Sequence, residues 1–128
     1  MPDKTEQTIY LLHKIESTLT RIITNSANIS SHEYYALSPS GMEKLESTCM
    51  LLIALGESIK GVDKLSKKQL LCQYPEVDWK GAMGIRDIIA HHYFDLDAEI
   101  VYNVVKNNLP GMLDTIKQIL KDLDSHGQ

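Results

Sequence analysis

The chain is poor in aromatic, arginine and cysteine residues, and each scarcity narrows what it can be. Trp79 and Phe94 are alone of their types, so a core must come mainly from Leu, Ile, Val and Met. The two thiols, Cys49 and Cys72, match no zinc spacing and read as small buried hydrophobes. No apolar run approaches the ~20 residues that span a bilayer. The first residues, Met1-Pro2-Asp3-Lys4-Thr5-Glu6, are polar and unlike a signal peptide. A cytoplasmic protein with no membrane contact is expected. A net charge of −4 argues against a protein that coats nucleic acid through long-range attraction. It leaves room for a local patch: Lys60, Lys64, Lys67, Lys68, Lys80 and Arg86 fall in one third of the chain. A solvated lysine face explains Lys67 and Lys68 equally well.

Repeats, low-complexity tracts and linkers are also missing, and 128 residues suit a single domain, 1–128. Helical periodicity runs nearly throughout. Ile9, Leu12, Ile15 or Glu16, Leu19 and Ile22 or Ile23 define a first helix over about 3–25, with Asp3 and Glu6 as a capping box. After Ser38-Pro39-Ser40-Gly41, the pair Ser40 and Glu43 predicts a second capping box. Met42, Leu45, Cys49, Leu52 or Ile53, Gly56 and Ile59 follow as the buried stripe of a second helix that stops at Gly61. A short helix is expected over 66–72. Asp78 caps a third helix running through Trp79, Met83 and Ile85 to about Phe94. Asp97 caps the next, with Ile100, Val101, Val104 and Val105, and Pro110 opens or kinks a last segment. No strand is expected. The reading is an all-α, up-down bundle of four or five helices. Gly81 and Gly84 lie inside the third helix, where they imply either close approach by another helix or an irregular first turn.

Within that third helix stands Arg86-Asp-Ile-Ile-Ala-His91-His92-Tyr93, holding one of only two arginines in the chain. At ~100° per residue, Asp87 and His91 form an i, i+4 pair in which the carboxylate orients the imidazole. His92 points away. Arg86 and His91 diverge by ~140° on a straight helix. They meet on one phosphate only if the helix ends or bends near His91, or if a two-fold partner brings its own copy. An imidazole can move the protons of RNA self-cleavage, and a guanidinium can neutralise the crowded phosphorane, without any metal. The bland alternative is a surface Arg–Asp pair and a helix-end histidine favoured by the dipole.

The pattern Arg-x4-His-x-Tyr, met by Arg86, His91 and Tyr93, resembles that of HEPN-domain toxins of the HepT type. Gly56-Glu57, Tyr74-Pro75, Trp79, Gly84-Ile85, Phe94, Asp97, Glu99-Ile100-Val101 and Asn108-Leu109-Pro110 carry the resemblance over essentially the whole chain. It implies a homodimer with the motif helices facing each other and a metal-independent endoribonuclease with no cofactor. Arg86 and His91 would be the catalytic pair, supported by Asp87 and by Glu57, which either orients Arg86 or sits on the surface. The substrate would be RNA, transfer or messenger. The partner implied is an MntA-like nucleotidyltransferase antitoxin that neutralises the toxin by transferring AMP from ATP onto Tyr93. Two other readings stay open: a non-catalytic helical subunit that binds nucleotide or presents Tyr93 to its partner, and a purely structural dimer.

Overall fold

The computed structural model describes residues 3–92 and 95–126, without the side chains of residues 91, 92 and 126. Asp3 starts α1 (Lys4–Asn25), its carboxylate accepting from the Glu6 amide at 2.8 Å. A short 3₁₀ turn, His32–Ala36, precedes α2 (Pro39–Leu65). The second cap is Ser38 rather than Ser40: its hydroxyl accepts from the Gly41 amide at 3.0 Å, and Pro39 takes the first helical position. A proline ring presets the helical φ there and lacks an amide that would otherwise go unbonded.

The end of α2 also departs from expectation. Gly61 stays helical, and a Cβ there would lie 2.9 Å from Leu11 Cδ1. Its missing side chain admits α1. The helix continues to Leu65 and closes with the Lys68 amide on the Asp63 carbonyl (2.8 Å) and the Lys67 amide on the Lys64 carbonyl (3.1 Å). Those two bonds are a Schellman cap, which calls for a left-handed residue, usually glycine. Here Lys67 (φ 53°) and Lys68 (φ 63°) adopt it, at a cost of about 1 kcal/mol or more each. The expected short helix over 66–72 shrinks to a turn and a 3₁₀ turn, Leu71–Gln73.

The long third helix is where the fold and the expectation part most. It is broken into α3 (Trp79–Met83) and α4 (Ile85–Ile89) around Gly84, and the chain then turns extended. Two short segments, β1 (Ala90–His92) and β2 (Asp95–Leu96), pair antiparallel with an irregular register. Gly81 and Gly84 together cost a helix up to about 2 kcal/mol, more than the roughly 1 kcal/mol that the Asp78 cap on the Gly81 amide returns. A Cβ on Gly81 would clash with that capping carboxylate, and Gly84 faces nothing closer than 3.6 Å. The irregular-turn reading of these glycines is the one observed.

Asp97 caps α5 (Ala98–Asn103), accepting from the Ile100 amide at 3.0 Å. A π-helical turn, 104–108, joins α5 to α6 (Leu109–His126), so 98–126 is one long rod. The Leu109 amide reaches Val104 O, one residue further back than in an α-helix, just before the amide that Pro110 lacks. The proline is absorbed without ending the helix.

Four rods thus form an up-down bundle, all-α apart from the two short extended segments. Lys44 Nζ donates to Asn25 O while Gly61 faces Leu11, so α1 and α2 are antiparallel. Lys106 Nζ donates to Ser26 O at 2.7 Å, which ties the turn after α1 to the long rod. At one end of the α3–α4 rod the Tyr74 hydroxyl donates to Asp122 (2.6 Å); at the other the Asp97 amide donates to Ile89 O (2.8 Å). That rod therefore runs antiparallel to α5–α6. The core is Leu12, Ile15, Leu19 and Ile22 against Leu45, Leu52, Ile59, Val105, Leu109, Ile116 and Ile119. Each such side chain contributes about 1.5–3 kcal/mol of apolar burial. No helix among the described residues is long and apolar enough to cross a membrane.

The close approach that builds the site is at Gly56, where a Cβ would lie 2.8 Å from Ala82 O and 3.1 Å from Ile85 Cγ2. Gly56→Ala should therefore lower stability by about 1–3 kcal/mol. Gly111→Ala, with nothing within 4 Å, should be neutral or raise it by up to about 1 kcal/mol. Thermal unfolding of the two variants checks both. The thiols differ likewise. Cys49 is buried, and burial pushes it up to about 11. Cys72 is exposed, contrary to expectation, because it lies on the turn after α2 rather than on a helix face. Brief alkylation of the folded protein near pH 8 should add a single label, at Cys72, as read by peptide mass spectrometry.

Candidate ribonuclease site

Arg86 owes its position to its neighbour. Ile85 is buried against Gly56 of α2, and Ile89 is wholly buried one turn on, so α4 turns that face to the core. Ile88 lies on one flank of α4, 39% exposed, at the lip of a cavity of about 340 Å³ shared with Leu52, Leu55, Leu109 and Met112. Arg86 is ~160° round the helix from Ile88 and opens on the opposite flank. On α2 the same geometry holds: Leu55 precedes Gly56 on the cavity side, and Glu57 follows it on the side of Arg86. The cavity is thus behind the motif, and Arg86 does not line it.

The guanidinium is exposed and, among the described residues, makes no ion pair or hydrogen bond. Asp87 is exposed as well. Glu57 shares the flank of Arg86, but its Oε1 pairs with Lys60 Nζ at 3.2 Å. Lysine so close to a surface carboxylate adds little stability. An exposed guanidinium held on a packed helix, with no acid paired to it among the described residues, is ready for an anion from outside.

His91 is not on the helix. α4 ends at Ile89, and Ala90 already has φ −127° and ψ 116°. The helical i, i+4 spacing expected of Asp87 and His91 is not kept, because the helix stops between them. Gly84, the two short rods and the bond from the Asp97 amide to Ile89 O together stop it. The stop meets the first of the two conditions under which Arg86 and His91 can share a ligand. The backbone of residue 91 lies in β1, and the His91 and His92 side chains fall outside the described part. Tyr93 and Phe94 lie outside the described residues altogether.

Two residues that position the motif were not singled out as site residues from the sequence. Tyr74 anchors the connection ahead of α3: its hydroxyl is bonded to Asp122, its carbonyl accepts from Trp79 Nε1 at 2.8 Å, and Gln118 completes the cluster on Asp122. Burial, reinforced by the Asp122 carboxylate, pushes the Tyr74 hydroxyl up to about 12. Asp97, beyond the motif, was legible only as a helix cap. Its amide also ties the motif's end to the helix that follows. Among the described residues no group of three His, Cys, Asp or Glu is placed to hold a metal ion.

Several known proteins are similar to this chain. A protein of Methanocaldococcus jannaschii whose name carries a provisional RNase assignment is 32% identical over 77 residues, 60% of each chain. A second such protein from the same organism is 30% identical over 73 residues, 57% of this chain and 60% of that one. A protein of Thermococcus cleftensis named probable ribonuclease HepT is 25% identical over 67 residues, covering 52% of this chain and 57% of its own. The chain spans about three-fifths of the length of these relatives. No solved structure matches. The family model described as ribonuclease HepT-like matches residues 3–119, nearly the whole bundle, and the chain belongs to that family.

Proposed function

We propose that this chain is a metal-independent endoribonuclease working as a homodimer, the toxin of a toxin–antitoxin pair. Arg86 and His91 are its catalytic residues. The reading is carried by one observation above all: an exposed Arg86, without an ion pair among the described residues, on a helix that ends three residues later and hands the chain to an extended segment holding His91. Membership of a ribonuclease family supports it.

In this reaction the 2′-hydroxyl of the RNA attacks the adjacent phosphorus, the bond to the 5′-oxygen breaks, and a 2′,3′-cyclic phosphate and a free 5′-hydroxyl result. The Arg86 guanidinium offers its planar fork of donors to the phosphorane oxygens, where charge accumulates. An imidazole takes the 2′-hydroxyl proton and another protonates the leaving oxygen. Two His91 residues, one from each subunit across a two-fold axis, provide both. Asp87 and Glu57 are supporting acids on the exposed surface around Arg86. An MntA-like nucleotidyltransferase neutralises the toxin by moving AMP from ATP onto Tyr93. The tyrosine oxygen attacks the α-phosphorus and pyrophosphate leaves. The added phosphate then competes with RNA for Arg86.

Arg86→Ala and His91→Ala should each reduce cleavage of RNA in a chelator-containing buffer by about 10²–10⁴-fold and abolish growth arrest, with the helical signal and dimer mass unchanged. Retained cleavage in either variant overturns the assignment. After coexpression with the nucleotidyltransferase, intact-mass measurement should show one or more AMP units on the wild type and none on Tyr93→Phe. An unmodified wild-type protein would instead place the antitoxin's effect in tight binding.

A further inference from the structure

We propose that the C-terminal end of α2 is the path by which a single RNA strand reaches or leaves Arg86, with backbone phosphates held by Lys64, Lys67 and Lys68. The inference rests on the ribonuclease reading above and adds which residues outside the motif hold the substrate.

Placement comes first. Glu57 shares the flank of Arg86, and Lys60 and Lys64 follow on successive turns of the same exposed side of α2. From Gly56 to Ser66 the helix advances ~15 Å, the reach of a few nucleotides. Lys60 is engaged with Glu57, whereas Lys64, Lys67 and Lys68 make no ion pair among the described residues and are exposed.

The backbone supplies the second observation. Lys67 and Lys68 take left-handed conformations (φ 53° and 63°) in a cap whose bonds any residue could make. Glycine or asparagine fills such positions with less strain. Within the chain the two lysines gain nothing visible in return: each side chain is exposed and no hydrogen bond from either ammonium is present among the described residues. The helix dipole does favour a cation at this end, but Lys64 in the last turn already supplies one. Strain kept without an internal return points to a ligand outside the chain. Adjacent exposed lysines beyond a helix end suit a polyanion with regularly spaced charges.

The test uses the full chain and a single-stranded 2′-O-methyl RNA, which lacks the attacking hydroxyl and is therefore bound without being cut. Lys67→Gly/Lys68→Gly should weaken binding about tenfold at low salt. Two lost phosphate contacts at about 0.7 each should flatten the slope of log affinity against log salt by about 1.4. Its Tm should hold or rise, because glycine relieves the strain. Lys64→Gln, which leaves the cap untouched, should flatten the slope by about 0.7. With cleavable RNA the double variant should raise KM and leave kcat unchanged. Affinity and slope equal to wild type in the double-glycine protein would overturn the inference while leaving the ribonuclease intact. So would weakened capture of the nucleotidyltransferase with RNA binding unchanged, which would make this a protein-docking face. A wild-type protein that neither binds nor cuts RNA would remove the ribonuclease reading itself.

Discussion

A missing side chain on α2 sets the geometry of the candidate site. At Gly56 the backbone of α3 comes close enough that even a methyl group would meet Ala82 O and crowd Ile85. That contact fixes how α4 is rotated about its own axis. Ile85 and Ile89 must face inward, Ile88 then falls beside the cavity, and Arg86 is left on the outer flank with no ion pair among the described residues. A side chain that pushed this rod outward would move the guanidinium with it, although position 56 takes no part in any chemistry.

Helix stops matter as much as helices here. Five residues on each side of Gly84 is too short a run to be stable alone, and each piece persists because tertiary contacts bury one of its faces. Asp78 and Asp97 bracket the motif, one capping the rod that enters it and the other capping the rod that leaves. The Asp97 amide on Ile89 O closes the bracket by holding the end of α4 to the start of the next helix. Within it the chain switches from helix to extended backbone between Arg86 and His91, so helical geometry no longer fixes the angle between them. A continuous helix would have locked them ~140° apart.

Much of the bundle was legible because apolar periodicity is a property of adjacent residues. Leu12, Ile15, Leu19 and Ile22 are buried as their spacing requires, and the caps at Asp3, Asp78 and Asp97 bond the amides expected of them. Glycine was the misleading signal. Gly61 reads as a helix stop and instead admits Leu11, while the stop falls on two lysines that no local rule selects. Gly81 and Gly84 left close approach and an irregular turn equally open; the irregular turn is what they make, and the close approach is at Gly56. A missing Cβ looks the same in a sequence whether it frees the backbone or makes room for a neighbour.

Local order alone determined the all-α class and the inward stripes, and it singled out the candidate residues, since each depends on side-chain type and short-range spacing. Tertiary structure decided where α2 and α4 end, which flank Arg86 faces, and the loss of helical register between Asp87 and His91. Those outcomes turn on contacts between segments far apart in the chain, such as Gly56 with Ala82 and Tyr74 with Asp122, whose energies outweigh local helix preference by more than the roughly 1 kcal/mol at stake per residue.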